Sequence, residues 1–129
     1  MQRNISAYQQ SHVRTSSRGE LLIALYDGAI RYATAAKEAI ERRDYAAKGH
    51  ALSGVMGILQ ELAGTLHHHE QPELCRNLKH LYTYFMERLQ TAGMQMESAP
   101  VVEVLGQLQG LRSTWSQAVA VARQQGYKV

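Results

Sequence analysis

Large apolar side chains recur at three- and four-residue intervals through four successive stretches of the chain, and that spacing restricts the fold to packed helices. The first stripe is Leu22, Leu25, Tyr26, Ala29, Ala33, Ala36 and Ile40, and the second is Leu52, Val55, Met56, Leu59, Leu62, Ala63 and Leu66. A third runs through Leu74, Leu78, Leu81, Tyr82, Phe85, Leu89, Ala92 and Met96. A fourth takes in Val101, Val104, Leu105, Leu108, Leu111, Trp115, Val119 and Ala122.

Start and stop signals separate the stripes. Ser17 and Glu20 have capping-box spacing, in which a hydroxyl and a carboxylate satisfy free amides at a helix start, so a first helix is expected from there to about Arg43. Asp44 offers an N-cap oxygen for a second helix reaching about His69. Pro72 suits the first turn of a third helix ending near Glu97, because its missing N–H would have been unpaired there anyway. Ser98 and Pro100 repeat that signal for a fourth helix to about Gln125, and Gly126 suits a left-handed cap. Helices of about 25 residues are about 38 Å long, and short connections make sequential neighbours antiparallel. The expected fold is all-α: an elongated, antiparallel up-and-down four-helix bundle occupying residues 18–129 as a single domain. Residues 1–17 read as a flexible polar N-terminal arm whose large apolar positions are Ile5, Tyr8 and Val13.

Composition narrows the function classes. With 129 residues and 45% apolar content, the chain has material for one core. Its 14 Lys and Arg are scattered against 11 Asp and Glu, without the basic stripe that nucleic-acid binding needs, so no nucleic-acid partner is expected. No apolar run reaches membrane-spanning length and no apolar signal core precedes the bundle, which points to a cytoplasmic protein without membrane insertion. A lone cysteine, Cys75, excludes an internal disulfide.

Within the first helix, "LLIALYDGAIRY" carries an Asp-Gly pair, ordinarily a turn signal. At 100° per residue Asp27 falls with Glu20, Arg31, Thr34 and Glu38 on a polar stripe, so the helix is expected to continue, with Asp27 pairing Arg31 at i+4. Gly28 aligns with Leu21, Ala24, Ala35 and Ala39 on a flank of mostly small residues. The second helix has a comparable flank of Ala46, Ser53, Gly57 and Gly64, and the fourth exposes Gly106, Gly110 and Ser113. Seven glycines (28, 49, 54, 57, 64, 106 and 110) fall inside the expected helices. Each is disfavoured by about 1 kcal/mol against alanine. Tolerance within a stable bundle is one explanation; the other is that small flanks leave shallow outer grooves where another helix or an extended segment approaches closely.

Four segments in order carry a resemblance: "ELLIALYDGAIR" at 20–31, "AAKGHALSGVMGILQELAGTL" at 46–66, "LYTYFMERLQTAG" at 81–93, and the single Trp115 late in the last helix. Together they resemble the bacterial flagellar export chaperones of the FliS type, and "NISAY" near the start is similar to that family's arm. Thr83 stands where many members have Asp, and Gly93 where many have Asn. The resemblance implies a cytoplasmic, non-enzymatic bundle that captures the disordered C-terminal segment of flagellin, prevents its premature assembly and aids its secretion by the flagellar type III system. It also brings in the flagellar export apparatus as a further partner. The candidate partner-binding residues are Leu21, Tyr26, Gly28, Gly57, Gly64, Gly106 and Gly110. Ile5 and Tyr8 of the arm join them, either as a displaceable plug over part of the client site or as a simple tether.

The rival reading is a regulatory or metal-binding bundle using His67, His68 and His69. Consecutive helical residues point about 100° apart and cannot converge on one ion while the helix persists. No Glu-x-x-His pair for a di-iron centre, phosphate loop or nucleophile elbow is present, so neither catalysis nor a cofactor is expected.

Overall fold

Helix boundaries follow from which side chains satisfy the free backbone groups at each end. The computed structural model describes residues 17–67 and 69–129, and these form four helices: α1 (Arg18–Glu41), α2 (Tyr45–Gly64), α3 (Pro72–Gln95) and α4 (Ala99–Gln124). Ile5, Tyr8 and the expected arm up to residue 16 lie outside the described residues, as does His68. Ser17 Oγ accepts the Glu20 N–H at 3.2 Å to start α1, and Asp44 Oδ1 accepts the Ala47 N–H at 3.1 Å to start α2. Each cap of this kind contributes about 1 kcal/mol. Pro72 and Pro100 occupy the first turns of α3 and α4.

Three helices end on one hydrogen-bond pattern, in which an amide just past the helix returns to the carbonyl five residues back. The pairs are Asp44 to Ala39 (2.9 Å), Glu97 to Ala92 (3.2 Å) and Tyr127 to Ala122 (3.0 Å). This turn needs a left-handed residue, supplied by Gly126 after α4 but by Arg43 and Met96 after α1 and α3.

The end of α2 differs from expectation, at Gly64 and not near His69. The Thr65 hydroxyl donates to the Leu62 carbonyl at 2.7 Å, and the amides of Thr65 and Leu66 turn to the carbonyls three residues back. These local bonds compete with the α-helical ladder and terminate it.

α1 packs between α2 and α4, and α3 closes the bundle against the same two helices. Neighbours are antiparallel, because contacts climb one helix as they descend the other. Glu20 meets Arg123 while Asp27 meets Arg112, and Gly28 faces Ile58 while Tyr32 faces Gly54. The core holds Leu25, Ala29, Ala33, Ala36 and Ile40 of α1 with Val55, Leu59 and Leu62 of α2. Phe85 and Leu89 of α3 and Val101, Val104 and Leu108 of α4 complete it. Burying each of the Val, Leu, Ile and Phe side chains is worth roughly 1.5–3 kcal/mol. Alanines run down the middle of α1, so its neighbours can approach closely. Among the described residues no helix is long and apolar enough to cross a membrane.

Asp27 corrects an expectation. Its carboxylate takes both donors of Arg112, Nε at 2.7 Å and Nη2 at 3.4 Å, and so ties α1 to α4 instead of pairing with Arg31 on its own helix. A planar guanidinium offering two donors matches a carboxylate better than a single local contact.

Candidate protein-binding site

Packing thins toward one end of the bundle, where α1 and α3 begin and α2 and α4 finish. Beyond Leu108 no residue of α4 is fully buried, and Leu111, Trp115 and Val119 are only partly covered. Leu22 and Leu66 are half-buried, and Leu74, expected in the core stripe of α3, is 44% exposed. Because α2 stops at Gly64, the connection to α3 cannot extend the α2 stripe over this end.

Two adjoining pockets occupy the opening. One, of about 400 Å³, is walled by Leu21, Leu22 and Leu25 of α1, with Gly64, Thr65, His67 and Arg18 completing its lining. The second, of about 230 Å³, runs on past Leu66 and Leu74 to Cys75, Leu78, Tyr82 and Trp115, with Glu70 and Gln71 at its polar edge. They share Leu22, Thr65 and His67, so together they make one apolar trough.

Its inner wall is held by a polar network inside the bundle. Trp115 Nε1–H donates to the Tyr26 hydroxyl at 3.1 Å, and the Tyr26 and Tyr82 hydroxyls share a hydrogen bond at 2.6 Å. α4, α1 and α3 are thereby linked through three side chains. Burial raises the pKa of both phenols above the ordinary 10.0, so each stays protonated and able to donate. No buried side-chain nitrogen or oxygen among the described residues lacks a partner.

A cleft of about 430 Å³ lies between α1 and α4, lined by Ile23, Ala24, Val119 and Ala120. The Glu20–Arg123 pair (2.7 Å) and the Asp27–Arg112 pair (2.7 Å) cross between the helices along this cleft. On the opposite seam Glu103 of α4 accepts from Arg88 at 2.8 Å and from the Tyr84 hydroxyl, which holds its carboxyl below the ordinary 4.5.

Of the candidate residues, the structure brings Leu21 and Gly64 together in the trough. Tyr26 is fully buried behind it, so as a direct contact it is corrected: its hydroxyl serves the network that fixes Trp115. Gly28 is also corrected, since it is buried and faces Ile58 of α2 and does not line an outer groove. Gly57 is half-buried in α2. Gly106 and Gly110 lie exposed on α4, with open space where a Cβ would stand. Arg18, Thr65, His67 and Leu74 were not among the partner-binding residues expected from the sequence; the Gly64-Thr65 pair near a helix end was the available signal.

His67 and His69 stand edge to face with ring centroids 6.1 Å apart, and His69 lies 3.7 Å from Glu70. Among the described residues no three His, Cys, Asp or Glu side chains gather where they could hold a metal.

At the level of class, the molecule is an up-and-down α-helical bundle with an apolar trough at its open end. The chain matches the family model described as Flagellar protein FliS over residues 1–122 and belongs to that family. It is similar to the Flagellar secretion chaperone FliS of Bacillus subtilis, 33% identical over 123 residues that cover 95% of this chain and 91% of that one. The protein of the same name from Salmonella typhimurium is 33% identical over 118 residues, covering 88% and 87%. That from Campylobacter jejuni is 29% identical over 117, covering 89% and 91%.

Proposed function

We propose that this chain is a cytoplasmic chaperone that holds the disordered C-terminal segment of flagellin, keeps it from polymerising and hands it to the flagellar type III export apparatus. The observation that carries this reading is the apolar trough at the open end, in a member of a family whose relatives are named as flagellar secretion chaperones. A disordered client buries its apolar residues there and folds as it binds, losing ordering entropy in return for a wide interface. Leu21 and Gly64 are its contacts in the trough, and Gly57, Gly106 and Gly110 extend the contact along the helices. Ile5 and Tyr8 compete with the client or tether the arm.

Titration calorimetry with a peptide covering the C-terminal segment of the organism's own flagellin tests the reading. Binding with a strongly negative heat-capacity change is expected, since apolar burial produces that sign. Absence of binding to both peptide and intact flagellin overturns it.

A further inference from the structure

The larger pocket of the trough is apolar on its walls, and the permanently charged side chain in its lining is Arg18. No carboxylate among the described residues pairs with it. In the neighbouring cleft, by contrast, Arg112 and Arg123 are each matched, by Asp27 and Glu20. Two first-turn amides of α1 are already used: Glu20 N–H by Ser17 Oγ, and Gly19 N–H by a backbone oxygen of Val129 at 3.2 Å. The guanidinium is therefore the charged group in the lining left to meet an anion. Nor can the chain's own leading segment supply the counter-charge. Residues 1–17 include Arg3 and Arg14 but no Asp or Glu.

We infer that this pocket is a specificity subsite for a client segment in which an Asp or Glu side chain neighbours an aliphatic one. The aliphatic group seats against Leu21, Leu25 and Gly64 while the carboxylate pairs with Arg18. Apolar burial supplies the affinity, and the charge selects the register, because a shifted segment puts its carboxylate against leucines or a basic residue against Arg18. The inference rests on the reading that the trough holds a client chain and names the chemistry it selects there.

Arg18 is exposed at the first position of α1, so its exchange leaves the Ser17 cap and the core in place. With the flagellin C-terminal peptide as probe, Arg18→Gln is expected to weaken binding about fivefold, with a flatter salt dependence. Arg18→Glu should weaken it further, and Arg18→Lys should retain most of it. Among peptides with each Asp and Glu changed singly to its amide, one should match the Arg18→Gln loss and add nothing to it in combination. Equal binding by the wild type, Arg18→Gln and Arg18→Glu overturns the inference but leaves the chaperone reading standing. Failure of the wild type to bind removes both. An amidated peptide end that alone reproduces the loss would assign the charge to the chain terminus, and disappearance of the Arg18 effect on deleting residues 1–14 would assign the pocket to the chain itself; either result overturns the inference.

Discussion

Gly28 and Gly54 both face a neighbouring helix, yet their surroundings give them different tolerance for a side chain. A Cβ on Gly54 would stand 2.5–2.6 Å from ring atoms of Tyr32, closer than real contacts allow, so α1 and α2 must separate or the ring must leave its place. A Cβ on Gly28 would crowd the Cδ1 tip of Ile58, at 2.9 Å, which can swing, and would touch Arg31 Nη2 at an ordinary 3.8 Å. Gly54→Ala should therefore destabilise the protein by about 1–3 kcal/mol through overpacking. Gly28→Ala should lie near neutral, since helix propensity returns about 1 kcal/mol. Urea midpoints measure both, and a Gly54→Ala midpoint at or above the wild type would refute the close approach. The left-handed residues make a second case. Arg43 and Met96 adopt φ of 61° and 54°, where a Cβ costs about 1–2 kcal/mol. Arg43→Gly and Met96→Gly should each raise the midpoint, by the equivalent of about 0.5–1 kcal/mol after the added freedom of the unfolded chain is subtracted. A fall in both would show that side-chain contacts outweigh the backbone strain.

Among the helices, α4 is where folding and binding can be separated. Gly106 and Gly110 have nothing within 4 Å of a Cβ, so Gly106→Ala and Gly110→Ala should stabilise the bundle by about 1 kcal/mol each. If that face receives client, the same double variant binds flagellin peptide more weakly while melting higher; unchanged affinity removes these glycines from the interface. The four helices and most of their starts were legible in the sequence because the signals are local: period, the prolines, Ser17 and Asp44 each act within a few residues. The end of α2 was not, because Leu66 continues the stripe past the point where the Thr65 hydroxyl breaks the ladder. The partner of Asp27 was hidden for another reason. Arg31 is one turn away, whereas Arg112 is 85 residues away and becomes a neighbour only once α4 packs on α1. Leu21 and Gly64, which line the trough and are proposed as client contacts, were picked out from their small-residue flanks. The same signal also selected Gly28, which serves packing, since a small flank reads alike whether a neighbour covers it or not.

Across the whole molecule, the trough and the core meet at the Trp115–Tyr26–Tyr82 network, which makes folding stability sensitive to alkali. Both phenols have pKa values raised by burial, so the folded chain keeps protons that the unfolded chain starts to release near the ordinary 10.0. Above that value the unfolded state binds fewer protons than the folded one, and stability falls as pH rises. Below it both states are protonated and this contribution is constant. The urea midpoint should therefore be flat, as far as these groups go, between about pH 8 and 10 and decline beyond. Tyr82→Phe removes one of the two protons from the balance, along with one hydrogen bond. The lost bond lowers the whole curve, whereas the lost proton makes its alkaline decline shallower, and only the slope reports the titration. Tyr82→Phe declining as steeply as the wild type above pH 10 would place the alkaline sensitivity elsewhere. A shallower decline, with Trp115 emission shifting to the red over the same pH range, would tie the loss of stability to the wall of the trough.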